Sequence, residues 1–305
     1  MQRTIGVMVA EHIAAGLLEN NQPVGSLSVF PEADDDSECL VGMPAAEIVE
    51  RIVQQVAQAR QEYEIAVIGV GFPGIIRNGI VEDSPNLQQM KGQDLGTALA
   101  FLLSRTGISA PVRVCNDADA MAAGIAATRG QLNQIVRVWW LGNGIGYGRY
   151  PQTEGAGEGG HIVVTLDPKE RFCACGGIGH LEGIMGHRAM RLRFLDLEPE
   201  EVFEQAEAGD KRCADFVALW HRALAAATAS SIHLDGPGKF YVSGPNARFV
   251  QVAAVGHYLY EMVRMSPLQG SQVEVIPTSD ETAIIGAAVN AERAARTASA
   301  VVKSG

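Results

Sequence analysis

The chain has no run of about twenty consecutive apolar residues, the length a helix needs to span a bilayer. It opens Met1-Gln2-Arg3-Thr4 without the charged-then-apolar pattern of a secretory leader. No lysine–arginine cluster is present, and the formal charge is −11 over 305 residues. A nucleic-acid partner rests on gathered basic side chains, so the expectation is none. The basic pair Lys211-Arg212 is flanked by Asp210 and Asp215 and reads as a solvated face. Cysteine is scarce: five residues, an odd number, with Cys173 and Cys175 separated by one position. That argues against a disulfide framework and for a metal site in a reducing, cytoplasmic setting. Cys39, Cys115 and Cys213 read as buried or half-buried thiols.

What is there has the balance of a globular protein, 47% apolar and 19% charged, and is long enough for two cores. β-Branched and apolar residues predict strands at 4–9, 13–18 and 24–30, the last ended by Pro31, with Asp34-Asp35-Asp36 marking an exposed loop. Ile48, Val49, Ile52, Val53 and Val56 fall on one helical face. A buried strand at 66–70 runs into Gly71-Phe72-Pro73-Gly74. Asp94 is the expected N-cap of a helix carrying Leu95, Leu99 and Leu102 that stops at Gly107, and 112–115 is a further strand.

The series then begins again. Strands are expected at 136–141, 146–150, 161–166, 240–242 and 273–276. Helices are expected at 181–191, 199–208, 211–233, 246–265 and 281–297, and the tail from Ala298 is expected to fray. Strands first, then alternating helices and strands, occurring twice, predict two related α/β lobes with a cleft between them. The boundaries read as 1–115, completed by the helix 281–297, and 116–280.

The strongest local signal is Cys173-Ala174-Cys175-Gly176-Gly177-Ile178-Gly179-His180, with His161 upstream. Two thiolates and two imidazoles make a closed tetrahedral set suited to structural zinc. Glycines let the backbone turn tightly enough to gather Cys173, Cys175 and His180. His187 is an alternative ligand, but its place on a helix points it elsewhere.

This run, Glu158-Gly159-Gly160-His161 and Glu182 together resemble the ROK family of repressors, open reading frames and sugar kinases. Gly71-Phe72-Pro73-Gly74, Ser84-Pro85-Asn86-Leu87, Asn116-Asp117-Ala118-Asp119-Ala120 and Gly155-Ala156-Gly157-Glu158 are similar to further family segments, in order along most of the chain. The zinc block departs from the family by having His180 where a third cysteine is usual. The resemblance implies a two-lobed, actin-like (duplicated ribonuclease H-like) α/β fold, a hexose or amino sugar as substrate, ATP with magnesium as phosphate donor, and a homodimer. It assigns Asp117 as general base, and Asn86, Asn116, Glu158, His161 and Glu182 as contacts to sugar hydroxyls. Carboxylates and amides suit that task because they pair with several donors and acceptors of a sugar ring. Each has a plainer reading: Asp117 as a helix-capping residue, Asn116 and Asn86 as turn residues, Asp119 as a surface or capping residue.

The nucleotide side departs further. The family's first loop carries an aspartate and paired glycines, whereas this chain reads Met8-Val9-Ala10-Glu11-His12. The second turn, Gly142-Asn143-Gly144-Ile145-Gly146-Tyr147-Gly148, keeps its glycines but has Asn143 in place of threonine, and the third reads Ser243-Gly244-Pro245-Asn246. Gly142, Asn143, Gly144 and Gly244 are the expected nucleotide contacts. Three readings follow: a sugar kinase; a sugar-binding pseudokinase or sensor that has lost transfer with the first loop; and nucleotide-free acid–base chemistry on a sugar by Asp117 with Glu158 or Glu182.

Overall fold

A computed structural model of the protein describes residues 3–32, 39–153 and 157–304; the acidic run 34–36 and the positions Gly155 and Ala156 lie outside them. The chain divides into two compact units. The first comprises Met1–Val136, Gly148–Ala156 and Ser279–Gly305, the second Arg137–Tyr147 and Gly157–Thr278. The division therefore falls after Val136, and not after Cys115 as the element count suggested.

In the first unit the order is β1 (Arg3–Val9), β2 (Ile13–Glu19), β3 (Gln22–Pro23), β4 (Ser28–Phe30), α1 (Ala45–Arg60), β5 (Val67–Phe72), β6 (Ile75–Arg77), β7 (Ile80–Asp83), α2 (Leu95–Arg105), β8 (Val112–Asn116) and α3 (Asp117–Thr128). The sheet runs β3-β2-β1-β5-β8, with β4 also paired to β2. β1 is antiparallel to β2 and parallel to β5, which is parallel to β8. Alternation along β1 sends Ile5, Val7 and Val9 into a core with Ile48 and Ile52 of α1 and Leu99 of α2. Asp94 caps α2 as expected, accepting the Thr97 N–H at 2.9 Å.

Two features of this unit differ from the sequence reading. Of the strand expected at 24–30 only its end forms, as β4; β3 lies before it, and Gly25, whose φ is 80°, falls between the two. The hairpin β6–β7 was not anticipated. Its turn is Asn78-Gly79, with φ of 52° and 83°, the pair of positive angles that a two-residue type I′ hairpin requires.

In the second unit, but for Val136 and the end of β10 from Gly148, which fall in the first, the order is β9 (Val136–Leu141), β10 (Ile145–Tyr150), α4 (Leu181–Met185), α5 (His187–Arg193), α6 (Pro199–Glu207), α7 (Lys211–Asp235), β11 (Lys239–Ser243), α8 (Val252–Met262) and β12 (Gln272–Val275). The sheet runs β10-β9-β11-β12. Trp139, Trp220, Leu224 and Phe240 anchor the core, and Trp139 Nε1 donates to Thr228 Oγ1 at 3.0 Å, so the buried indole N–H is satisfied.

Three expectations fail here, each for a local reason. Residues 161–166 form no strand: a 3-10 turn, Gly159–His161, is followed by extended residues with one bridge, Val163 to His180. Leu166 is 90% exposed. The helix expected at 181–191 breaks at Gly186, where ψ is 139°. The helix expected at 246–265 is a 3-10 turn, Pro245–Phe249, followed by α8. Between the last two, His221 Nε2 accepts the Gln251 N–H at 2.9 Å.

The last element, α9 (Asp280–Ser304), returns to the first unit and runs through the tail that was expected to fray. Gly6 is in register with Gly16 on β2 and Gly69 on β5, so a stripe without side chains crosses three strands. α9 lies on it: a Cβ on Gly6 would fall 2.0 Å from the Ile284 carbonyl oxygen, and one on Gly69 2.0 Å from that of Ala287. Among the described residues no helix is long and apolar enough to cross a membrane.

Candidate functional site

The carboxyl ends of the parallel strands in the first unit lie along one edge of its sheet, with Met8 in register with Gly71 and Phe72 with Asn116. Open α/β sheets gather ligand-binding residues at such an edge. β8 ends in Asn116, whose Oδ1 accepts the Ala118 N–H at 2.9 Å and the Asp119 N–H at 3.3 Å, capping α3. Its Nδ2 donates to the Gly74 carbonyl at 2.8 Å. One amide thus ties the end of β8 to the turn after β5. Gly74 has φ of 112°, and a Cβ there would sit 2.2 Å from the Asp83 carbonyl oxygen, which accounts for glycine at this place.

Asp117 is the first residue of α3, half-buried, and its Oδ1 accepts the Ala118 N–H at 2.9 Å. Helix start and strand end together hold this carboxylate at the sheet edge. Asn86 is exposed in the turn after β7. Ser84 is fully buried and donates from Oγ to the Pro73 carbonyl at 2.8 Å, so the 84–86 turn is held to the 73–74 turn.

β1 and β2 are joined by Ala10-Glu11-His12, with the Ala10 N–H donating to the His12 carbonyl at 2.9 Å. His12 Nε2 donates to Asp280 Oδ2 at 2.7 Å, linking the turn to the start of α9. Asp119, expected to be a surface or capping residue, is instead a fastening. Its Oδ1 accepts the Arg149 N–H at 2.9 Å, and burial pushes its carboxyl up to about 6.

In the second unit the sequence-predicted ligands do come together: donor atoms of His161, Cys173, Cys175 and His180 all lie within 4.8 Å of one another. Cys173 Sγ is 3.4 Å from Cys175 Sγ and 3.8 Å from His161 Nδ1; His180 Nδ1 is 3.2 Å from Cys175 Sγ and 3.3 Å from His161 Nδ1. Donors around a tetrahedral zinc stand about 3.3 to 3.8 Å apart, given its usual bond lengths. The set fits such an ion. Burial pushes the Cys173 thiol up to about 12, so it takes a cation to draw out the thiolate. Glu158 Oε2 stands 4.0 Å from the other ring nitrogen of His161. Behind the loop, Arg193 pairs with Glu170 through both guanidinium nitrogens, one contact at 3.0 Å, and stacks over Phe172. His187 takes no part in this set. It gathers with Glu198 and Glu200, and those carboxylates already hold Arg191 at 2.7 Å and Arg248 at 2.9 Å.

The glycine turns of this unit are neighbours. Gly244, with φ of 98°, packs so closely on Leu141 that a Cβ would lie 2.6 Å from its carbonyl oxygen. Asn246 Nδ2 reaches the Gly142 carbonyl at 3.4 Å, and the His187 backbone N–H donates to the same oxygen at 3.0 Å. Gly142, Asn143, Gly144 and Gly244 therefore lie together at the ends of β9 and β11, with Asn143 exposed. Glu182, half-buried on α4, accepts the Ile145 N–H on Oε2 at 3.2 Å and places Oε1 3.4 Å from Cys173 Sγ.

The model of the ROK family matches residues 41–294. The glucokinase of Pyrobaculum calidifontis is 26% identical over 261 residues, 80% of this chain and 85% of that protein. Among solved structures, the ROK hexokinase from Thermus thermophilus superposes with a TM-score of 0.78 at 22% identity, covering 97% of this chain and all of that one. A ROK family glucokinase from Streptomyces griseus in complex with glucose and AMPPNP superposes at 0.64 with 24% identity, covering 95% of this chain and 99% of that one. At these identities the two superpositions establish the fold, the actin-like α/β fold of ROK hexokinases and glucokinases.

Proposed function

The chain belongs to the ROK family, and from that premise we propose that it is a sugar kinase, transferring a phosphoryl group from a nucleoside triphosphate to a hydroxyl of a hexose or amino sugar. The observation that carries the reading is the fixing of Asp117. It opens α3 at the carboxyl edge of parallel strands, and Asn116 locks that junction through both ends of its amide. A base held in this way accepts the proton of the attacking hydroxyl as the oxygen bonds to phosphorus. Phosphoryl transfer depends on such positioning and on charge stabilisation.

Asn86, Glu158 and Glu182 pair with other hydroxyls in this reading. Asn116 acts by holding Asp117, and His161 by serving the metal. Backbone N–H groups of the turns at Gly142, Asn143, Gly144 and Gly244 meet the donor's phosphates, where glycines let the main chain come close. Zinc, held by His161, Cys173, Cys175 and His180, braces the loop and supplies no chemistry of its own, because four protein donors leave no open position.

Metal-loaded protein is to be assayed for phosphate transfer from ATP, GTP and polyphosphate to a panel of hexoses and amino sugars with magnesium. Transfer to at least one sugar is expected. D117N is expected to lower kcat about 10²- to 10⁴-fold while calorimetry still detects sugar binding. No transfer from any donor, or an unaltered kcat in D117N, overturns the reading.

A further inference from the structure

We propose that Glu182 and the short helix α4 form a strut that couples the Cys/His cluster to the glycine turn between β9 and β10, so that metal occupancy sets how well that turn is ordered. The assignment of the turn to the phosphate donor rests on the kinase reading; the strut itself does not.

α4 has five residues, about 7 Å of helix. Its N-cap is His180, one member of the cluster, and Gly183 within it packs on Cys173, where a Cβ would fall 2.9 Å from the backbone nitrogen. Its other end is Gly186, where a Cβ would lie 2.8 Å from the Asn143 carbonyl oxygen, and the next N–H, that of His187, bonds to the Gly142 carbonyl at 3.0 Å. Leu181, Ile184 and Met185 are buried at 0–1% exposure, so the helix cannot slide without opening the core. Glu182 closes the link from the side. One carboxylate oxygen takes the Ile145 N–H at 3.2 Å, and the other stands 3.4 Å from Cys173 Sγ. A Cβ at Gly144 would come within 2.6 Å of the same carboxylate, so glycine lets the turn lie against it without moving Glu182.

The cluster and the turn therefore share one rigid element and one side chain. An ion that pins His180 and Cys173 fixes the cluster end of α4, the helix that carries Glu182 to the Ile145 amide; Cys173 as a thiolate no longer donates to Oε1, so the tie runs through the helix itself. Without the ion the loop keeps its hydrogen bonds and the Arg193–Glu170 pair at its base but loses the clamp on the N-cap of α4, so the acceptor of the Ile145 amide is held less firmly.

The test is hydrogen exchange on the full chain without sugar or nucleotide, which keeps the result independent of whether the protein proves to be a kinase. Three samples are compared with zinc-loaded protein: chelated protein with metal loss verified, zinc-loaded E182A and zinc-loaded E182Q. Exchange at the Ile145 amide is expected to quicken at least about tenfold on chelation and in E182A, the size of effect that loss of one hydrogen bond gives. Amides of α7 should stay protected, and E182Q, which keeps an acceptor oxygen, should exchange like the native chain. Unchanged exchange at Ile145 on chelation or in E182A overturns the proposal. So does acceleration that spreads equally through α7, because the ion would then hold the whole unit and not this turn. A sugar contact alone would move none of these readouts.

Discussion

Asp119 Oδ1 accepts the backbone N–H of Arg149 at 2.9 Å, so a carboxylate on α3 holds the far end of β10. Burial pushes its pKa up to about 6. A group whose native pKa lies above its unfolded value binds its proton more tightly when folded. Its stabilising effect is complete below pH 4 and is lost as pH rises towards about 6, beyond which the curve is level. D119N keeps the acceptor oxygen and removes the charge. It is expected to abolish this slope and to raise stability at pH 7.5 by up to about 3 kcal/mol, measured by urea unfolding at pH 4.5 and pH 7.5.

His221 runs the other way. Burial lowers its pKa, and the neutral ring is used at both nitrogens: Nδ1–H donates to the Val217 carbonyl at 2.8 Å, and Nε2 accepts the Gln251 N–H. Protonation would set one N–H against another. The stability it adds is present above its ordinary pKa of 6.5 and is lost as pH falls below it. H221F should cost about 1–3 kcal/mol at pH 7.5, since the Gln251 N–H is left unpaired. The gap to the native chain should narrow in melts at pH 5.5.

Gly69→Ala forces a methyl group into the backbone of α9. With 2.0 Å to the Ala287 carbonyl oxygen there is no rotamer to change, so helix or strand must shift. A loss of about 3 kcal/mol is expected, at the upper end for overpacking. Gly42→Ala, where nothing lies within 4 Å of the added carbon, should stay within about 0.5 kcal/mol. Denaturant midpoints of the two variants check the contrast.

Arg193 stands 23 positions after Glu170, and it grips that residue and Phe172 at the base of the metal loop. Groups bonded directly to metal ligands cost about 10- to 100-fold in metal affinity when lost; Arg193 acts one step behind them, so about tenfold is expected. R193M keeps the apolar stem and loses the pairing. Competition against a chelating dye should show that drop, with the stoichiometry of bound zinc unchanged.

How much of this was legible in the sequence followed from how local each device is. The Cys173–His180 loop and the Asn116-Asp117 junction were readable because ligand, cap and strand end stand next to one another in the chain. Ser84, Asp280 and Arg193 were not, since each acts on a partner that only folding brings near; His12 and Asp280 are 268 positions apart. Asn78-Gly79 did announce its hairpin and was passed over. Gly186 gave too weak a signal, because a glycine costs a helix only about 1 kcal/mol; contacts with the 142–143 turn decide the break. The residues after Thr297 looked like a loose tail from their small size, but alanine is the best helix former, and the helix simply continues.

The glycine stripe on β1, β2 and β5 has a consequence for biosynthesis. A ribosome delivers the chain in sequence order, so the strands that carry the stripe emerge before the second unit and the helix that roofs it only after. All residues of the second unit are made by position 278. A nascent chain halted there holds one unit able to close and another with a bare backbone face, so the half that is synthesised first is the last to become native.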